Sequence, residues 1–137
     1  MPAMMMESPF DERDLRLPAE PSRLSEARRF AEDVAFQLGF GAEVRHQITL
    51  AINEAVANAM EHGSPSDDGE VELRAVVEGG GLAIYVTDSG RFMPRTPHRE
   101  AMPQRGRGLA FMDLLMDEVE VRPSPRGTRV RLLKRLG

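Results

Sequence analysis

The chain contains no cysteine. Disulfide bridges, zinc–thiolate sites and thiol catalysis are therefore excluded. No apolar run approaches the length needed to cross a bilayer, so a transmembrane reading fails. The methionine-rich start, Met1 to Pro9, lacks the basic flank and sustained apolar stretch of a secretory signal. A general basic excess is also missing. The formal net charge of -4 argues against a nucleic-acid binder. No Gly-x-x-x-x-Gly-Lys-Ser/Thr sequence occurs, which rules out a P-loop. No His-Glu-x-x-His occurs, and His46, His62 and His98 lack metal-ligand spacing, so a metal hydrolase is a poor reading.

What is present fits a single domain in a reducing cytosol. The 137 residues suffice for one core, and no internal repeat or linker divides them. Residues 1–10 are expected to be disordered and 11–137 to form the domain. Leu15 and Leu17 alternate with polar residues in a strand that Pro18 and Pro21 break. Ser22 is a plausible N-cap for a helix carrying Leu24, Ala27, Ala31, Val34 and Leu38. A second helix is expected from about Ala42 to His62, with Val44, Ile48, Ala51, Ile52, Ala55 and Ala59 as its apolar stripe and Gly63 as its stop.

Ser64 to Asp68 reads as a turn. Val71, Leu73 and Ala75, then Leu82, Ile84 and Val86, form an alternating hairpin about Gly79–Gly81. Ser89 to Gln104 is irregular, and a loop this long in a compact domain is usually a lid or binding loop. A short helix is expected from Leu109 to Met116. Strands at Val119 and Val121 and at Thr128, Val130 and Leu132 follow, joined by a turn at Pro123–Gly127. The order predicts an α+β two-layer sandwich, a mostly antiparallel sheet with about three helices on one face.

Several residues stand out on this frame. Glu54 and Asn58, four apart, share one face of the second helix amid alanines that let another group come close. The plain alternative is an exposed polar stripe. Asp88 is in phase with the core face of its strand. A carboxylate there only accepts hydrogen bonds, so it suits a donor such as an adenine amine. A routine Asp-Ser-Gly turn is the alternative. Gly106-Arg107-Gly108 before a helix would let backbone N–H groups approach phosphate, aided by the helix dipole and by the charges of Arg105 and Arg107. Thr128 is in phase with Val130 and Leu132, so its hydroxyl can face the same pocket as Asp88.

In their order and joint spacing, Glu54-x-x-x-Asn58, Asp88-x-Gly90, Gly106-x-Gly108 and Gly127-Thr128 resemble the gyrase–chaperone–histidine-kinase–MutL superfamily of ATP-binding domains. Ile52 to Gly63 is similar to the N-box of the bacterial anti-sigma factor serine/threonine kinases. Gly106 to Met112, leading to Asp117-Glu118-Val119, is similar to their second glycine box. The resemblance spans roughly Leu15 to Leu136.

It implies a Bergerat-type, histidine-kinase-like ATPase domain over 11–137 that binds ATP and Mg2+. Asn58 would offer an amide oxygen to magnesium, and Glu54 would be the general base for an incoming serine hydroxyl. Asp88, with Thr128 nearby, would read the adenine amine, and Gly90 would let the chain turn against the base. Gly106, Gly108 and the Leu109 N–H would hold phosphates. Arg105 or Arg107 would offset charge on the transferred group. Arg91 to Arg105 would be the lid.

The implied partners are a sigma factor, held inactive, and an anti-anti-sigma protein, phosphorylated on serine. A cytoplasmic homodimer with no membrane or direct nucleic-acid contact is expected. The region upstream of the N-box is expected to be too short for a phosphoacceptor dimerisation helix pair, and no transducer domain is expected after Gly137. The first glycine box departs from Asp-x-Gly-x-Gly, because Phe92 stands at its second glycine. This bears on the lid hinge and on nucleotide affinity. It leaves a second reading open, a nucleotide-responsive binding module with little or no kinase activity.

Overall fold

A computed structural model describes residues 12–63, 69–88, 102–124 and 127–136. The elements run in the order β1 (Glu12–Pro18), a 3-10 turn (Pro21–Arg23), α1 (Leu24–Gln37) and α2 (Ala42–Asn58). A π-type turn (Ala59–Gly63), β2 (Glu70–Glu78), β3 (Gly81–Asp88), α3 (Met102–Leu115), β4 (Glu118–Ser124) and β5 (Gly127–Arg135) follow. The turn expected at Ser64–Asp68, the N-terminal residues 1–11 and most of the expected lid lie outside the described residues.

The five strands form one antiparallel sheet in the order β1-β2-β3-β5-β4. Period-two alternation sends one set of side chains to each face. Leu17, Val71, Leu73, Ala75, Leu82, Ile84, Val86 and Leu132 point to the inner face and are fully buried. They meet Ala27, Ala31 and Val34 of α1 and Ile48, Ala51, Ile52, Ala55 and Val56 of α2 in one core. Burying each large aliphatic side chain contributes about 1.5–3 kcal/mol. α2 is the middle helix. It packs against α1 on one side and α3 on the other, and it lies over β3 and β5.

Three details differ from the sequence expectation. Ser22 falls inside the 3-10 turn rather than capping α1, because Pro21 sets a tight first turn and α1 begins at Leu24 behind Arg23. The second helix does reach Gly63, but it widens from α to π hydrogen bonding at Ala59. The third helix starts at Met102, not Leu109. Pro103 sits in its first turn, where a missing N–H costs nothing, and Gln104 and Arg105 are good helix formers. Gly106 and Gly108 are therefore inside α3 and not ahead of it.

The hairpin turn is confined to Gly79 and Gly80, whose positive φ values (62° and 75°) suit a tight two-residue connection. Gly81 already belongs to β3.

Candidate functional site

Asp88 ends β3 on the inner face, where alternation would otherwise place an apolar residue. At 2% exposure it is the one buried charged residue among those described. A carboxylate in such a place needs donors. One comes from β5: the Thr128 backbone N–H donates to Asp88 Oδ2 at 3.2 Å. Gly127, just before it, has a φ of 143°. A Cβ there would lie 2.7 Å from Asp88 Oδ1 and nearer still to the Asp88 carbonyl oxygen. The glycine thus leaves a cradle beside the carboxylate that any other side chain would fill. The Gly-Thr pair in phase with Asp88 was the available sequence signal. Thr128 and Asp88 line one cavity, and the hydrogen bond between them is donated by the Thr128 amide.

Glu54 and Asn58 lie one turn apart on α2, both half-buried beside the fully buried Ala51 and Ala55. Their flank follows from the neighbouring residue. Asn53 accepts a hydrogen bond from Arg28 Nη1 of α1 at 2.9 Å. Successive helical residues are about 100° apart, so Glu54 and Asn58 are turned away from α1, toward the side on which α3 packs. The end of α2 is also tied to the Asp88 end of the sheet. Its π-type turn touches β2, β3 and β5, and the first residues of β2 pair with the last of β3 (Val71 with Asp88). The Arg28–Asn53 bridge is a further feature that sequence reading passes over, since 25 residues separate the partners.

Arg105, Gly106, Arg107 and Gly108 occupy the α3 backbone, and Leu109 is half-buried against the core. In a helix starting at Met102, the amides of Gly106 to Leu109 belong to the i to i−4 ladder. Gly90 and residues 91–101 of the expected lid lie outside the described residues. Among the described residues, no group of three or more His, Asp or Glu is placed to hold a metal ion.

An acceptor-only carboxylate with a cradle beside it fits the exocyclic amine of a purine such as adenine. Asn58 carries a side-chain amide oxygen that would serve a magnesium ion, which keeps waters and phosphate oxygens as its other ligands.

The chain is similar to several known proteins. A serine-protein kinase RsbW of Bacillus pumilus is 31% identical over 136 residues, covering 88% of this chain and 83% of that protein. An anti-sigma F factor of a Thermoanaerobacter species is 32% identical over 120 residues, covering 81% and 84% respectively. Among solved structures, the RsbU and RsbW domains of a Mycobacterium tuberculosis protein superpose with a TM-score of 0.72 at 25% identity. That match covers 93% of this chain, which spans about a third (33%) of the other. Residues 17–134 match the histidine kinase-like ATPase domain, and the chain belongs to that family.

Proposed function

We propose that this chain is an ATP-dependent serine kinase that phosphorylates an anti-anti-sigma protein and sequesters a sigma factor. The observation that carries this reading is the pairing of a buried adenine acceptor, Asp88 at the end of β3, with Glu54 and Asn58 one turn apart on the α3-facing flank of α2. The names of the relatives, serine-protein kinase RsbW and anti-sigma F factor, support the two halves of the proposal.

In this reading Asp88 accepts the adenine amine, with the Thr128 amide fixing its other oxygen, and Gly90 accommodates the base. Asn58 offers its amide oxygen to Mg2+, which when bound shields the phosphate charges. Glu54 takes the proton of the attacking serine hydroxyl. Gly106, Gly108 and the Leu109 N–H hold phosphates, and Arg105 or Arg107 faces the transferred group. A cytoplasmic homodimer is part of the proposal. No helix among the described residues is long and apolar enough to cross a membrane.

One observation favours the second reading, a nucleotide-responsive binding module. The phosphate-binding glycines lie within α3, with their amides in the helical ladder. Incubation with labelled ATP, magnesium and a candidate anti-anti-sigma protein separates the two. The kinase reading expects serine phosphorylation that Glu54→Ala abolishes while ATP binding persists. Tight partner binding without transfer to any cognate protein would leave the module instead.

A further inference from the structure

The outer face of the sheet, which no helix among the described residues covers, is laced with opposite charges. Arg74 meets Glu12 at 3.2 Å, and Arg16 lies near Glu70 and Glu72. Arg131 is held by Glu78 and Glu118, and Arg135 also pairs with Glu118. One position breaks the pattern. Arg122 of β4 and Arg129 of β5 are direct cross-strand partners, an arrangement that costs stability when both carry the same charge.

Neither charge is well neutralised from within. Arg129 has no ion pair among the described residues. Its guanidinium carbon lies 4.9 Å from the Tyr85 ring centroid instead. Among the described residues Arg122 reaches only Glu120, two residues away on its own strand, at 3.2 Å, and its side chain stays 68% exposed. Two open cavities meet at this pair. One, of about 340 Å³, is lined by Thr87, Asp88, Pro123 and the Gly127–Thr128 edge. The other, of about 210 Å³, is lined by Tyr85, Glu120 and Arg131. Arg122 and Arg129 line both.

We propose that this arginine pair is a docking site for an acidic segment of a protein partner, with a carboxylate bridging the two guanidiniums. Charge-assisted bonds from two arginines to one carboxylate remove the repulsion that the bare sheet carries. A lone small anion gains little on an open, solvated face. A chain bearing several carboxylates can enter both cavities and lie across Tyr85. The molecule as a whole is acidic, at -4, so an arginine pair left without full neutralisation on this face is complementary to an acidic segment. The inference goes beyond the kinase proposal, although one of the two cavities shares Asp88, Gly127 and Thr128 with the adenine site of that proposal.

The test uses the full chain and a fluorescein-labelled octaglutamate peptide, followed by fluorescence anisotropy at low and high salt. Saturable, salt-sensitive binding is expected. R129E and R122E should each weaken it by about tenfold or more, and R16E, an equal change of charge on the same face, by less than about twofold. R122Q, at an exposed position, serves should R129E melt early. The proposal is overturned if no saturable binding occurs or if R16E weakens it as much as R129E. It is equally overturned if inorganic phosphate at the same concentration displaces the peptide.

Discussion

Gly127 lies against Asp88 so closely that a Cβ at 127 would stand 2.7 Å from the carboxylate oxygen Oδ1. The contact joins the last residue of β3 to the first of β5, so the shape of the base end of the sheet depends on the absence of one carbon. Gly127→Ala adds that carbon and also strains a φ of 143°. Strain of this kind costs about 1–3 kcal/mol, a sizeable fraction of a small domain's stability. The expected result is a lower urea midpoint, with ATP affinity reduced even where the variant remains folded. An unchanged midpoint would show that the strands can part without cost.

Asp88→Asn tests the adenine assignment with almost no change in shape. An amide that keeps its oxygen toward the Thr128 N–H turns its NH2 toward the ligand, donor against donor. Losing a hydrogen bond to a charged group costs about 1.5–3 kcal/mol, or roughly tenfold to hundredfold in ATP affinity. Guanine carries an oxygen acceptor where adenine carries its amine, so the preference for ATP over GTP should narrow in the variant. Calorimetric titration with both nucleotides measures this. An equal loss for both would mean that Asp88 holds the sheet and does not read the base.

Much of this architecture was legible in the sequence because period and burial agree. The alternation of Val71, Leu73 and Ala75 with charged residues gave β2, and Asp88 in phase with Leu82, Ile84 and Val86 gave its burial. The i, i+4 spacing of Glu54 and Asn58 placed them on one flank. What escaped was set by tertiary contact. The start of α3 followed Pro103 and its helix-forming neighbours, not the glycines. The Arg28–Asn53 bridge and the close approach of Gly127 to Asp88 join segments 25 or more residues apart, and no local pattern encodes such pairs. The opposition of Arg122 and Arg129 depends on the register of β4 against β5, which neither strand's own alternation encodes.

Acid should weaken the outer face through Glu78. Its carboxylate accepts from the Tyr85 hydroxyl at 2.5 Å and from Arg131 Nε at 2.9 Å. The Tyr85 hydrogen bond, followed by that of Arg131, holds its pKa below the usual carboxylate value, and the same contacts with Glu78 and then Glu118 raise that of Arg131. A carboxyl whose folded pKa is depressed contributes stability above its unfolded pKa, about 4.3. That contribution is lost as pH falls through the folded value. Urea midpoints should therefore drop between about pH 5 and pH 3, and Glu78→Gln should flatten this part of the profile while lowering the plateau at neutral pH. The effect is small because the group is partly solvated. An identical slope in the variant would assign the acid sensitivity to other carboxylates.

The position of Gly106 and Gly108 inside α3 sets a conflict that nucleotide binding must resolve. If the amides of Gly106 to Leu109 hold phosphates, they must leave the helical ladder, and the first turns of α3 must unwind so that the helix begins near Leu109. Glycine makes that unwinding easy, since it is worse than alanine in a helix interior by about 0.5–1 kcal/mol. Gly106→Ala stabilises the wound state by that amount, so ATP should bind about two- to fivefold more weakly while thermal stability without nucleotide rises. Hydrogen exchange supplies the direct check: on adding ATP and magnesium, the backbone amides of Ala110 and Phe111, whose i−4 acceptors would unwind, should lose protection, while those of Gly106 to Leu109 should exchange their helical protection for that of the phosphates. Tighter ATP binding by Gly106→Ala, with helical protection retained from Gly106 to Phe111, would show that phosphates are held elsewhere and that α3 keeps its full length in the bound state.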